Sequence, residues 1–568
     1  MSNDCSNICQ IVRIGLVASA AACVVACAPA DDPFDEAGRR AVAAISADAI
    51  LAHVRVLGAD AFGGRGPASE GDRLTQQYLV EQLDALGYRP AAADGGWLQP
   101  FNVVGVDATV PETWEFSRGD LRAHFARWDD FVAASGVQAD AAVIDDAEVV
   151  FVGYGIQAPE YDWDDFKGRD LSGKVLLMLN NDPEWSPDLF EGDRRLYYGR
   201  WDYKYESAAR QGAVGAIIIH TTPSAGYPWQ VVQTSWTGEQ FELPAGEEAR
   251  SQVEAWVTER AAGELVAMAG RDLATLIESA RSRDFEPVPL GVTTSLALSN
   301  AVNRVQTANV LGILPGSDER LADEVVILTA HHDHLGIGEP DDSGDRIYNG
   351  ARDNALGVGL VLELARAYGS LPEAPRRSIL ALFVAAEEQG LLGSQYYAEN
   401  PTFAPGRIAA NMNFDGGNIW GKTRDVTYIG YGKSSLGAVA DLVASRQGRV
   451  VKPDQLPDRG YYYRSDQFNF AKIGVPATYF DEGQDFVGRP AGWGREQIEA
   501  YEAVQYHQPS DEYDDSWNLD GLIQDAELAF WIGLNVANAQ EMPTWMPGDE
   551  FEAARIAAIE ALDYQGAE

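Results

Sequence analysis

Residues 324–336 read EVVILTAHHDHLG. Four apolar residues in a row, then Thr329, Ala330 and a histidine, are the pattern of a strand buried on both faces. Three of the chain's seven histidines then fall within four positions, at His331, His332 and His334. Imidazole is the commonest metal-binding side chain, yet such a cluster is also an ordinary loop feature. The surrounding pattern has to decide.

Outward from this stretch, strands and helices alternate. ALGVGLVLELARAYGS (355–370) predicts a helix, RSILALFVAAEE (377–388) a strand, LLGSQYYAEN (391–400) a helix and IAANMNFD (408–415) a strand. LGAVADLVASRQG (436–448), VPATYF (475–480) and LIQDAELAFWIGLNVANA (522–539) continue as helix, strand and helix. Nearly continuous apolar strands between helices predict an α/β fold, a largely parallel mixed sheet flanked by helices. In such sheets ligands gather at the carboxyl ends of strands. Upstream, residues 36–92 predict helices around the glycine-rich loop GGRGPASEGD (63–72). Between about 125 and 290, AEVVFVGYG, GKVLLMLNND and AVGAIIIH predict buried strands, with KYESAARQG a short helix before the last. That stretch is a β-rich insertion. GVTTSLALSN and ANVLGILPGSD return to long strand patterns.

At 568 residues the chain exceeds one ordinary core. Hydrophobic content of 46% describes a folded protein, and a net charge of −43 argues against nucleic-acid partners, which need clustered Lys and Arg. All four cysteines, Cys5, Cys9, Cys23 and Cys27, precede the folded body, so disulfides do not staple it. IVRIGLVASAAACVVACAPADDP carries one arginine and an apolar run short for a membrane span. Its VVAC, residues 24–27, resembles the lipobox of bacterial lipoproteins, implying cleavage before Cys27 and lipid on its thiol. No later stretch is long and apolar enough to span a bilayer.

Chemistry-bearing residues fall at the predicted strand ends and adjoining loops. His331 ends one strand, with Asp333 two positions on. Asp353 lies in GARDNALG, Glu387 and Glu388 in VAAEEQG, Asp415 in NMNFDGG and His507 in YHQPSDEYD. Singly each has an ordinary explanation, such as a helix N-cap for Asp353. Together they suit two zinc ions. Two histidines and three carboxylates could hold a pair about 3.5–4 Å apart, one carboxylate bridging, while a neighbouring carboxylate takes a proton from water.

HHDH, GARDN, AAEEQGLLGS, NMNFD, RSDQFNFAKIGVPA and YHQPSDEYD resemble, in order, the motifs of the zinc-dependent aminopeptidase family, which also includes glutamate carboxypeptidase and the transferrin receptor ectodomain. FGGRGPASEGDRLTQQYLVEQLDALG resembles that family's N-terminal helices, so the likeness covers residues 45–115 and 300–540. The insertion resembles a protease-associated domain. The resemblance implies that His331 and Asp415 complete one zinc site and Glu388 and His507 the other, with Asp353 bridging. It makes Glu387 the general base, Asp333 the carboxylate that orients His331, and Tyr506 an oxyanion donor. It also implies a cis Asp353–Asn354 peptide. In the H-x-D motif His331 is the ligand, which leaves His332 and His334 as neighbours. Arg464 and Asp466 fall in a segment near the substrate pocket.

The expectation is therefore an exported, lipid-anchored bacterial enzyme acting on peptide substrates as an aminopeptidase. Alternatives are a glutamate-carboxypeptidase-like carboxypeptidase, a glutaminyl cyclase and a non-catalytic receptor-like binding protein. Cobalt or manganese could replace zinc in such N/O sites. The expected organisation is a signal peptide and lipobox over 1–27 and a linker over 28–40. The peptidase domain would begin over 41–124, the protease-associated insertion would take 125–290, and the catalytic domain would complete over 291–568.

Overall fold

The computed structural model describes residues 34–236 and 238–565. The expected signal peptide and Cys27 lie outside the described residues, as do linker residues 28–33. Helix α1 (Ala47–Leu57) begins where the Ser46 hydroxyl accepts the Ala49 N–H, and buries Ile50, Val54 and Leu57 on one face. Helix α2 (Glu70–Ala85) is capped in the same way by Ser69 and buries Leu79 and Leu83. Strand β1 (Leu98–Thr109) then leads towards the insertion.

In the insertion, β2 (Phe131–Ser135), β3 (Ala141–Phe151), β4 (Val175–Leu179), β5 (Gly215–His220) and β6 (Val253–Thr258) lie in the order β3-β4-β5-β6-β2. All but the last pairing are parallel. Two helices serve the site, α3 (Trp201–Arg210) and α4 (Trp229–Ser235).

Strand β7 (Val288–Leu314) ties the two parts together. It is antiparallel first to β3, then to β1, and its last residues join the C-terminal part of the sheet. The boundaries expected at 124 and 290 fall inside strands, Leu121–Ala126 and β7. Period-2 alternation runs through both points, so the sequence carries no break there.

The second part of the sheet continues with β8 (Val325–His331), β9 (Ser378–Val384), β10 (Ile408–Asn413), β11 (Asp425–Ile429) and β12 (Ala477–Glu482). Strands β9, β8, β10 and β12 are consecutive and parallel, flanked by antiparallel β7 and β11. This is the mixed, largely parallel α/β sheet expected from the apolar runs. Every residue of β8, β9 and β10 is buried. Helix α5 (Gly357–Gly369), helix α6 (Asp520–Asn538) and α1 cover one face with a continuous apolar core. Among the described residues no helix is long and apolar enough to cross a membrane.

Candidate metal and catalytic site

Parallel strands place their carboxyl ends on one edge. Here β8, β9 and β10 bring His331, the Glu387–Glu388 pair and Asp415 to the same point. Asp353 arrives from the loop before α5, with the Asp353–Asn354 peptide cis. That loop is fixed by hydrogen bonds. The N–H groups of Arg352 and Asp353 donate to Asp511 at 3.1 and 3.0 Å. The Asn354 side chain donates to the Phe414 carbonyl at 2.9 Å and accepts from Gly416 N–H at 3.0 Å, tying the loop to the end of β10.

The result is symmetric about Asp353. His331 Nε2 lies 3.2 Å from its Oδ1, and 3.1 Å from Asp415 Oδ1. His507 Nε2 lies 3.4 Å from its Oδ2, and 3.0 Å from Glu388 Oε2. Asp333 stands behind. It lies 3.7 Å from His331 Nδ1 and accepts the N–H groups of Glu387 and Glu388 at 3.0 and 3.3 Å. One carboxylate therefore fixes the glutamate pair and stands within ion-pair distance of a histidine.

Electrostatics follow from crowding. Glu387 is pushed well above the ordinary carboxyl range, first by burial and then by Asp415 and Glu388, against the opposing pull of His331. Burial works against charge on His507, but Glu388 and Asp353 raise it to about 10. His331 is likewise raised, with Glu387 and Asp415 outweighing its burial. Glu388 falls to about 2 despite burial and Asp353, because His507 and His334 favour its charge. So much negative charge in a dry site calls for cations. The donors fit a metal: His331 with Asp353 and Asp415, His331 with Glu387 and Glu388, and His334 with Asp353 and Glu388 each converge within 4.8 Å. His507 Nε2 is buried and has no hydrogen-bond partner, although it points at two carboxylates.

His332 and His334, set aside in the sequence as neighbours, are both fully buried and engaged. His332 Nε2 meets Asp72 Oδ1 at 3.0 Å, linking the site to α2. His334 Nδ1 meets Glu388 Oε1 at 2.6 Å, so Glu388 has one imidazole on each oxygen. The distinction between His334 and His507 lies in their other nitrogens. His507 Nδ1 is engaged by the Ser235 hydroxyl at 2.7 Å, which leaves Nε2 for the cluster, whereas His334 spends Nδ1 on Glu388.

Arg65 had no sequence signal beyond its glycine-rich loop. It is 1% exposed and donates to four carbonyls, those of Leu57, His332, Asn349 and Gly350. Burial lowers it to about 10, with Asp333 and Asp511 acting the other way. It is a fixed cation behind the acidic cluster.

A cleft opens over the cluster. Tyr227, Arg464, Glu387, Glu388 and Tyr506 line both of its chambers. One chamber extends into the catalytic body along Tyr461, Tyr479 and Asp481. The other extends into the insertion along Arg200, Trp201 and Trp236. Arg464 Nη2 donates to the Tyr506 hydroxyl at 3.1 Å and lies over the rings of Tyr227 and Tyr461. Asp466, by contrast, is fully buried and absent from the cleft wall.

Residues 309–530 match peptidase family M28. An aminopeptidase from Aneurinibacillus sp. strain AM-1 superposes over 89% of this chain and 97% of its own, with TM-score 0.55 and 19% identity, a likeness of fold. A probable glutamate carboxypeptidase of Arthroderma benhamiae is 32% identical over 155 residues, 26% of this chain and 17% of that protein. A probable zinc metalloprotease of Leptosphaeria maculans is 32% identical over 111 residues, 20% of this chain and 24% of that one. The chain thus spans only 17% and 24% of the length of these two curated relatives. The match runs from the end of β7 into α6 and takes in the ends of β8, β9 and β10 and the His507 loop: the chain carries a peptidase family M28 domain over residues 309–530.

Proposed function

We propose that this protein is a zinc-dependent exopeptidase, in first place an aminopeptidase, that holds two zinc ions. The observation that carries the reading is Asp353, whose two oxygens each face a different imidazole, at 3.2 and 3.4 Å. His331 and Asp415 would hold one ion and His507 and Glu388 the other, with Asp353 between them. Zinc, when bound, supplies Lewis acidity to the scissile carbonyl and lowers the pKa of water towards about 7. Glu387 takes the proton from the attacking water and returns it to the leaving amine, a contribution of roughly 10²–10⁴ in rate. Its backbone anchor on Asp333 holds it in place for both transfers. Tyr506 and Arg464, joined by one hydrogen bond on the cleft wall, stabilise the developing oxyanion.

A carboxypeptidase is the second reading, and Arg464 favours it. Among the described residues this cleft arginine has no carboxylate within salt-bridge distance, so a substrate carboxylate could pair with it. The insertion would act as a protease-associated domain, and the segment ending at Cys27 would export and lipid-anchor the enzyme. Loss of radiolabelled palmitate incorporation in Cys27→Ser tests the anchor.

One peptide, presented free, N-acetylated and C-amidated to zinc-loaded enzyme, separates the activities by mass spectrometry. Loss of amino-terminal residues, blocked by acetylation and by Glu387→Ala, is the expected result. Carboxyl-terminal loss blocked by amidation would transfer the assignment to carboxypeptidase. No cleavage in any form would count against an exopeptidase.

A further inference from the structure

We infer that Ser235, in the inserted module, is a positioning residue of the metal centre: its hydroxyl fixes which nitrogen of His507 faces the carboxylates. The inference rests on the reading of His507 as a zinc ligand. An imidazole that coordinates a metal must keep its proton on the other ring nitrogen, and the partner of that nitrogen selects tautomer and ring orientation. In His331 the nearest acceptor to that nitrogen is Asp333, on the same strand end, at 3.7 Å, an ion-pair distance too long for a hydrogen bond. In His507 it is Ser235 Oγ at 2.7 Å, 272 residues away in sequence. The Nδ1–H then donates to the hydroxyl, and Nε2 turns its lone pair towards Glu388 and Asp353.

The surroundings make this contact specific. Ser235 is the last residue of α4, and α4 is pinned to the body of the insertion. Trp229 Nε1 and Gln233 Nε2 both donate to the Trp128 carbonyl, at 2.9 and 2.8 Å. A second bond runs beside the first, from Gln508 Nε2 to Thr234 Oγ1 at 3.3 Å. On the other side, the Tyr506 ring lies against the His507 ring with centroids 3.9 Å apart. His507 itself has φ +56°, a left-handed conformation uncommon for a residue other than glycine. The insertion therefore does more than wall the cleft. It completes the second coordination sphere of one of the two metal positions.

The test compares Ser235→Thr with Ser235→Val in the full-length enzyme, two side chains of one shape that differ in the hydroxyl. Zinc affinity is read by competition with a chromogenic chelator, and ligand geometry by the visible spectrum of the Co²⁺-substituted protein. Expected is a loss of about 10–100-fold in affinity for one of two zinc ions in the valine variant, with an altered Co²⁺ spectrum. The threonine variant should keep both properties near wild type. Equal zinc affinity and identical spectra for valine and wild type would overturn the proposal. So would equal losses in the threonine and valine variants, which would mean that shape matters and the hydroxyl does not. If wild type itself bound no zinc, the two-zinc reading beneath the proposal would fall instead.

Discussion

The catalytic sheet and the inserted module reach the same imidazole by different routes. The sheet delivers its groups through backbone geometry: three parallel strands end together, and whatever residues stand there must meet. The module delivers one hydroxyl through a chain of contacts, from Trp128 through α4 to Ser235. The first arrangement is robust because the sheet's core would have to unfold to lose it. The second depends on how a separate layer packs. Position set by topology tolerates much local change, whereas position set by packing hangs on a few side chains.

The largest expected effect lies at the carboxylate that joins the two donor sets. Asp353→Ala removes the carboxylate shared by both donor sets, so both metals should be lost and activity should fall to background. Metal analysis of the purified variant checks this, and retention of two ions would break the bridging assignment. Glu387→Ala should lower kcat by about 10²–10⁴ while metal content stays at the wild-type value, which separates proton transfer from metal holding.

A sharper comparison concerns the two imidazoles on Glu388. His507→Ala should abolish binding of one ion. His334→Ala should instead weaken metal affinity by about 10–100-fold, the usual cost of losing an outer partner of a ligand. If the two variants trade places in a zinc titration, His334 is the ligand and His507 its support.

The smallest expected effect tests the module alone. His220, at the end of β5, is 5% exposed and sits 5.3 Å from the ring of Trp229, and burial lowers its pKa to about 4. Its neutral form is the folded form, so the stability it confers is complete above about 6.5 and is lost as pH falls towards 4. The full loss is on the order of 3 kcal/mol. Burial raises Asp165 and Asp182 to about 7, which acts with the opposite sign, so the comparison must be made by difference. His220→Phe should gain stability relative to wild type as pH falls from 6.5 to 4, followed by tryptophan fluorescence during urea unfolding. A constant difference across that range would show that His220 does not titrate with folding.

Much of the sheet was legible because buried parallel strands need unbroken apolar runs, and β8, β9 and β10 supply them. His331, Glu388 and Asp415 were legible for a related reason, since polar residues at the ends of such runs stand out, whereas Asp353 and His507 lie in loops and were found through their motifs. His332, His334 and Arg65 were not. A buried histidine paired to a carboxylate and a buried arginine paired to carbonyls leave no periodic trace. Their partners, Asp72, Glu388 and Asn349 among them, lie far off in sequence. The domain boundaries were blurred for the opposite reason, because the strands Leu121–Ala126 and β7 run straight through them.

By itself the sequence determined the α/β alternation, the order of the strand-end motifs and the chemistry of the candidate donors, since these depend on local pattern. Only the tertiary structure decided which oxygen of Asp353 faces which imidazole, and that α4 of the insertion reaches His507. It also decided that Arg464 faces the cleft while Asp466 is sealed behind it. These are matters of side-chain direction between segments up to 272 residues apart, and packing fixes them where periodicity cannot.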